Sequence, residues 1–162
     1  MRKPEVLADT NVVSYLFLGS PLADDYRQLL AEMSVSVSFV TVGEMQFGAE
    51  IRCWSDARRN GLDRFLEDYP VAGYAIGMEK TYARVSSDCR RAGRALDWRD
   101  AWICTQALWF GVPLVTHDRD FMGIAGLKII SLLNPEIHDV TWGCELAYGV
   151  PSYSSREPLL SH

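Results

Sequence analysis

Residues 95–121 read ALDWRDAWICTQALWFGVPLVTHDRDF and join a helical pattern to a strand pattern. The helical pattern stops at Gly111-Val112-Pro113, where a glycine C-cap and a proline are expected to end a helix. The apolar run from Pro113 to Thr116 then has the length of a buried strand. This stretch therefore predicts a helix that leads into a strand, which is the repeating unit of an α/β fold.

The rest of the chain repeats this alternation of short apolar runs with longer stretches of helical period. Such alternation is typical of β-α units that build a parallel sheet. The predicted strands are Glu5 to Ala8, Val35 to Val40, Val71 to Ala75, Pro113 to Thr116 and Leu127 to Ile130.

Three stripes of apolar and aromatic residues recur at helical spacing, and we expect them to face the core. The stripes are Met78, Tyr82, Val85 and Cys89; Phe47, Ile51 and Trp54; and Trp98, Trp102, Thr105 and Trp109.

Composition limits the class of protein. With 162 residues, 48% of them hydrophobic, the chain fits one globular domain. Its formal net charge of -5 excludes a uniformly basic nucleic-acid-binding surface but not a local basic patch. The four cysteines are scattered, which argues against a disulfide or zinc framework. With no signal-peptide core and no membrane-length apolar run, we expect a reduced, cytoplasmic protein.

The end of the chain differs in kind from the rest. It contains Pro135, Pro151 and Pro158, several serines and little periodicity. We therefore predict a domain at residues 1–133, followed by an irregular C-terminal tail at residues 134–162. An arm that docks on a partner is the alternative.

Acidic residues follow the predicted strands or open the quoted helix. Asp9 comes directly after the first strand, Glu44 soon after the second, and Asp118 after the fourth, while Asp97 and Asp100 begin the helix. Each acid also has a purely structural explanation, because aspartates cap helices and acids favour the first helical turn.

Two of these acids end a sequence pattern that resembles a capping box. Thr41-x-x-Glu44 has the usual pattern, and Asp97-x-x-Asp100 has aspartate at its last position.

A parallel sheet would bring Asp9, Glu44 and Asp118 to one edge, joined by Asp100 if its helix begins there. Two unit charges about 4 Å apart repel by roughly 4 kcal/mol at an effective dielectric of about 20. A helix N-terminus returns only about 0.3 to 1 kcal/mol. Either a divalent ion binds, or some carboxyls stay protonated. Oxygen ligands without a Cys/His set favour Mg²⁺ or Mn²⁺.

Such ions commonly act on phosphates, so phosphodiester hydrolysis is the expected chemistry. The sequence contains no Walker motif and no G-x-G-x-x-G, which weakens the case for nucleoside triphosphates or dinucleotides. It also lacks the G-x-S-x-G elbow of serine hydrolases.

Three segments resemble the PIN-domain ribonucleases, in particular the VapC-type toxins of bacterial toxin-antitoxin modules. They are LADTNVVSYLF with Asp9, FVTVGEMQFGAE with Glu44, and DAWICTQALWFGVPLVTHDRDF with Asp100 and Asp118. The similarity runs from about Val6 to Ile130. It implies a three-layer α/β/α domain with a parallel five-stranded sheet, Mg²⁺- or Mn²⁺-dependent endoribonuclease activity, homodimerisation and inhibition by a cognate antitoxin.

The resemblance gives the catalytic role to the same four acids, with Asp9, Asp100 and Asp118 as metal ligands beside Glu44. Water activated by the metal would attack RNA, so no protein nucleophile is required. Neighbouring residues could orient the carboxylates, the water or a phosphate. These are Thr10, Asn11, Asp97, Thr116 and Asp120.

Some of these neighbours have an alternative role. Asp97 lies outside the four-acid pattern, and helix capping is its alternative. We expect His117 to be an exposed, interchangeable loop residue, with proton transfer as the alternative.

RNA needs cations near an acidic centre. The candidates are Arg94, placed first, with Arg99 and Arg91, although solvated helix faces with salt bridges explain each of them as well.

Two rival functions remain open: a metal-dependent phosphatase or DNase, and a catalytically silent PIN-like module that binds RNA or protein. Four retained acids argue against the silent module, because it has no use for their repulsion.

Overall fold

The computed structural model describes residues 3–133, in which short strands alternate with helices. The tail predicted for residues 134–162 lies outside this part of the chain. The elements are β1 (Glu5–Ala8), α1 (Thr10–Leu18), α2 (Ala23–Leu30), β2 (Ser34–Ser38), α3 (Phe39–Ile51), α4 (Asp56–Glu67), β3 (Val71–Ala72), α5 (Met78–Arg91), α6 (Trp98–Phe110), β4 (Leu114–Val115), a 3₁₀ turn (Arg119–Phe121) and β5 (Ile129–Ile130).

The five strands form one parallel sheet with the order β3-β2-β1-β4-β5. The first strand is therefore central: Leu7 pairs with Ser36 of β2 and with Leu114 of β4. The strand order reverses beside β1, and the carboxyl ends of β1 and β4 meet there. In open α/β sheets, this switch point is where ligands bind.

Helices cover both faces of the sheet. On one face, Leu7 and Leu114 pack with residues of α5 and α6, such as Val85 and Ile103. On the other face, Val6, Val115 and Ile130 pack with α1 and α2, and a further cluster joins α1 to α3 and α4. The predicted α/β fold with a parallel five-stranded sheet is confirmed.

The second predicted strand ends too late. Residues 35–40 were expected to be extended, but Phe39 and Val40 already belong to α3. The hydroxyl of Ser38 accepts a hydrogen bond from the Val40 N–H at 3.0 Å and caps this helix. The capping box expected at Thr41 and Glu44 is therefore wrong, because α3 begins two residues before Thr41.

Parts of two aromatic stripes do not face the core. The side chains of Phe47 and Ile51 are exposed, with 62% and 65% of their surfaces accessible, and Trp98 is exposed as well. Helical period alone does not distinguish a face covered by the same chain from one left open. The stripe of α5 is correctly placed, since Met78, Val85 and Cys89 are buried.

No helix between residues 3 and 133 is both long and apolar enough to cross a membrane.

Candidate active site

Asp9 lies at the switch point and is almost completely buried, with 4% of its surface accessible. One carboxylate oxygen accepts from the Thr10 N–H, and the other from the Thr116 hydroxyl, both at 2.7 Å. Burial raises the Asp9 pKa to about 6, although both hydrogen bonds lower it; the charges of Asp118 and Glu44 raise it further. Asp9 is thus both the predicted N-cap of α1 and a carboxylate under electrostatic strain.

Asp100 lies in the first turn of α6, which Asp97 caps by accepting from the Arg99 N–H. Burial raises the Asp100 pKa to about 7, and the next largest contributions are the charges of Asp9 and Asp118, followed by those of Asp97 and Glu44. Within residues 3–133, the Asp100 carboxylate has neither a hydrogen bond nor an ion pair. Asp100 is therefore the one of the four acids whose negative charge no hydrogen bond or ion pair in these residues stabilises.

Asp118 follows β4 and caps the 3₁₀ turn, because its side chain accepts from the Asp120 N–H at 2.8 Å. Its own N–H donates to the Thr116 hydroxyl at 3.0 Å, and that hydroxyl donates to Asp9. Thr116 therefore links two of the acids. Asp120 is exposed, and its predicted role beside the metal stays a prediction.

Glu44 comes from the second turn of α3, and different partners contact its two carboxylate oxygens. The Thr10 hydroxyl donates to Oε2 at 2.6 Å, while Nη1 of Arg99 lies 3.2 Å from Oε1. Thr10 also contacts the buried hydroxyl of Thr41 at 3.0 Å. Thr10 therefore helps to hold a carboxylate, as the sequence suggested, and Thr41 is a member of this network that the sequence did not reveal.

The four acids influence one another electrostatically but do not converge on a point. No three Asp, Glu, His or Cys side chains between residues 3 and 133 are close enough to hold an ion as they stand. The donor set nevertheless suits a hard divalent cation, since it offers only oxygen and includes an unpaired carboxylate. Side-chain rotation would be needed to gather the oxygens around one ion.

His117 is not the exposed loop residue that we expected. It is partly buried; its Nδ1 lies 2.8 Å from the hydroxyl of the buried Tyr26, and its ring packs edge-on against Tyr26 and Tyr15. Its backbone N–H donates to the Asn11 side chain at 3.2 Å. Asn11 and His117 thus fix the loop that presents Asp118. No sequence signal pointed to Tyr26, which comes from α2.

The three candidate arginines have different partners. Arg99 contacts Glu44 and Asp97, whereas Arg94 donates to the Met122 carbonyl. Arg91 is exposed and pairs with Asp88 one turn earlier in α5.

Known proteins of similar sequence support the resemblance. Ribonuclease VapC4 of Mycobacterium tuberculosis is 25% identical to the chain over 134 residues, which cover 82% of the chain and 100% of the relative. Plasmid stability protein StbB of Pseudomonas syringae is 29% identical over 134 residues, covering 78% and 96%.

Solved structures share the fold. The VapBC2 complex of Rickettsia felis, bound to a promoter DNA fragment, contains a chain that matches with a TM-score of 0.70 and 20% identity, covering 78% of this chain and 98% of its own. VapBC-1 of Haemophilus influenzae matches with a TM-score of 0.67 and 24% identity, covering 80% and 99%. The sequence profile described as PIN domain matches residues 6–127. The chain belongs to the PIN domain family.

Proposed function

We propose that this protein is a divalent-metal-dependent endoribonuclease and the toxin of a type II toxin-antitoxin pair. The observation that supports this most is the partly buried group of Asp9, Asp100 and Asp118, where burial first and then the charges of neighbouring acids raise the pKa of Asp100 to about 7 beside the switch point. The VapC ribonucleases among its relatives make RNA the expected substrate.

Mg²⁺ or Mn²⁺ held by Asp9, Asp100 and Asp118 would polarise the phosphate and make bound water acidic. The protein's own part is to position these carboxylates. Thr116 orients both Asp9 and Asp118, while Thr10 orients Glu44, whose carboxylate can accept a proton from water. No serine, cysteine or threonine nucleophile is needed.

Arginines between the end of α5 and the first turn of α6 are the proposed contacts to RNA phosphates. They are Arg94, Arg99 and Arg91. The proposal assigns them binding rather than chemistry, because phosphate contacts contribute affinity and its salt dependence.

Asp100→Asn tests the function directly. The variant should lose Mg²⁺-dependent cleavage of single-stranded RNA, and EDTA should abolish cleavage by the wild type. Glu32→Gln is a matched control, because Glu32 is an exposed acid in the turn between α2 and β2.

The same assay separates the rival functions. Cleavage of DNA or of phosphomonoesters in preference to RNA would indicate the DNase or phosphatase. RNA binding without cleavage at any Mg²⁺ or Mn²⁺ concentration would indicate the silent module.

The cognate antitoxin is the proposed protein partner. The structures from Rickettsia and Haemophilus are VapBC assemblies, and the former is bound to promoter DNA. Growth arrest on expression, relieved both by Asp9→Ala and by co-expression of a small protein encoded next to this gene, is the expected result. Equal toxicity from the Asp9 variant would contradict the toxin role.

A homodimer is proposed from an exposed aromatic surface beside α6. The rings of Phe39, Tyr74 and Tyr82 surround Trp102, while Trp98 and Ile76 are exposed, Ile76 with 91% of its surface accessible. Contiguous apolar surface of this kind is typical of protein interfaces. Ile76→Asp should convert the dimer to a monomer in light scattering without changing the circular dichroism spectrum, whereas a monomeric wild type would refute the dimer.

The domain limits and the location of the protein are proposals of the same kind. We assign the nuclease to residues 1–133 and propose that the protein acts in the cytoplasm, where RNA is available. Protection of residues 3–133 from limited proteolysis, with cleavage beyond them, is the expected result.

A further inference from the structure

Arg99 is the basic residue that pairs with one of the four acids within residues 3–133. Nη1 of its guanidinium lies 3.2 Å from Oε1 of Glu44, and Nε lies 2.6 Å from Oδ1 of Asp97. Arg99 thus places a positive charge against the acidic site without any ion from solvent.

The position of this guanidinium is set by the start of α6. The same Asp97 oxygen accepts from both the backbone N–H and the Nε of Arg99, at 3.0 and 2.6 Å. A helix cap therefore also restrains the side chain, and the entropy cost of holding a long arginine in one geometry is reduced. The pairing of Arg99 with Glu44 is consequently more than an incidental surface contact.

Glu44 is restrained on both sides. Thr10 holds one of its oxygens and Arg99 the other, while Asp100 has no partner within residues 3–133. An ion shared with Asp100 would bind Glu44 through an oxygen that Thr10 or Arg99 already contacts. An incoming divalent ion and Arg99 therefore compete for the same carboxylate.

We propose that Arg99 is a counter-ion switch: it neutralises Glu44 when no divalent ion is bound, and the ion releases its guanidinium from Glu44 to contact an RNA phosphate. This inference rests on the proposed ribonuclease function. It assigns Arg99 two successive partners of the same charge, first a carboxylate and then a phosphate.

The free hydrogen-bond donors of Arg99 support the second partner. A guanidinium has five N–H groups in a planar fork that suits phosphate oxygens. The contacts with Asp97 and Glu44 use the N–H of Nε and one N–H of Nη1, and the side chain is 43% exposed. The remaining donors have no hydrogen-bond partner within residues 3–133, and the nearby Asp100 contributes a charge but makes no ion pair with the guanidinium.

The switch predicts opposite effects on the two ligands when Arg99 is neutralised. Arg99→Gln removes the cation that competes for Glu44, so Mn²⁺ should bind about fivefold more tightly, the size of one partly exposed ion pair. The same change should raise the KM for RNA, with a smaller effect on kcat. A residue with only a structural role would weaken both ligands together.

Isothermal titration of the full-length protein with Mn²⁺ alone tests the first effect without any RNA. The control is Arg64→Gln, since Arg64 is an exposed arginine of α4 that donates to a carbonyl of its own helix. It removes the same charge, and its Mn²⁺ affinity should equal that of the wild type. Arg99→Lys should fall between, because lysine keeps the charge but cannot bridge both acids in the same way.

Unchanged or weaker Mn²⁺ binding by a folded Arg99→Gln protein would overturn the switch. If that variant unfolds, Arg99→Lys decides instead: lysine keeps a positive charge but cannot bridge Asp97 and Glu44 in the same way, so Mn²⁺ should bind more tightly there than in the wild type. A wild type that fails to cleave RNA would refute the ribonuclease function, while the Mn²⁺ comparison would still decide the role of Arg99.

Discussion

Replacing Asp100 by asparagine should stabilise the protein in the absence of metal, although it should abolish the proposed activity. The pKa of this carboxyl is raised from 3.8 to about 7 by burial and by its acidic neighbours. Ionised Asp100 therefore destabilises the folded state. The variant has the same shape but carries no charge at any pH.

The size and sign of the effect follow from proton linkage. Because folding raises the pKa of Asp100, proton binding to this side chain favours the folded state fully below pH 3.8. This stabilisation is lost as the pH rises toward 7. Above pH 7, the cost of ionising Asp100 has an upper limit of about 4 kcal/mol. Asp100 is partly exposed, so solvent screening reduces the expected gain to roughly 2 kcal/mol at pH 8. Little gain is expected at pH 3.5.

Urea denaturation in EDTA at these two pH values measures the difference, with Glu32→Gln as the control. Mg²⁺ should then stabilise the wild type at pH 8 but not the Asp100 variant. Equal stability of variant and wild type at pH 8, with unchanged slopes, would show that ionised Asp100 does not destabilise the folded protein. The reasoning for a cation at this edge of the sheet would then fail.

Three further changes probe the same site. Lowering the pH from 8 to 5.5 should weaken Mn²⁺ binding by about tenfold or more in calorimetry, because Asp9 and Asp100, with pKa values of about 6 and 7, must lose protons to bind an ion. Thr116→Val removes a hydroxyl bonded to buried Asp9, so the free energy of unfolding should fall by about 1 to 3 kcal/mol; no loss would mean that water replaces the hydroxyl. Tyr26→Phe should lower the free energy of unfolding, measured by urea denaturation, by about 1 kcal/mol, because it removes the hydroxyl that contacts His117. An unchanged free energy would exclude this contact from positioning the loop.

The sheet and the termini of α6 were predictable because local signals specify them. Asp97 and Gly111 delimit α6 as expected, the glycine with a φ of 68°. The boundary of β2 was not, because Phe39 and Val40 favour strands by propensity while Ser38 caps a helix there. In this case, tertiary packing and one hydroxyl outweigh the strand preference of an aromatic and a β-branched residue.

The positions of the acids at strand ends were also predictable, since parallel topology alone brings such ends together. Thr10 and Thr116 were predicted as residues that could orient the carboxylates, but the contribution of Thr41 and the contacts of the loop were not. The contact between Tyr26 and His117 joins residues that are 91 positions apart, and nothing in either local sequence indicates it. The exposed Phe47 could not be recognised either, because periodicity reports an apolar face but not what covers it.

The central position of β1 has a consequence for synthesis. Asp9 emerges from the ribosome early, but the hydroxyl of Thr116 that orients it is encoded 107 residues later. Such distant pairing must await nearly the whole domain and makes folding slow. A nascent chain cannot assemble these carboxylates, so a protein that degrades RNA would stay inert until Thr116 and Asp118 have been synthesised.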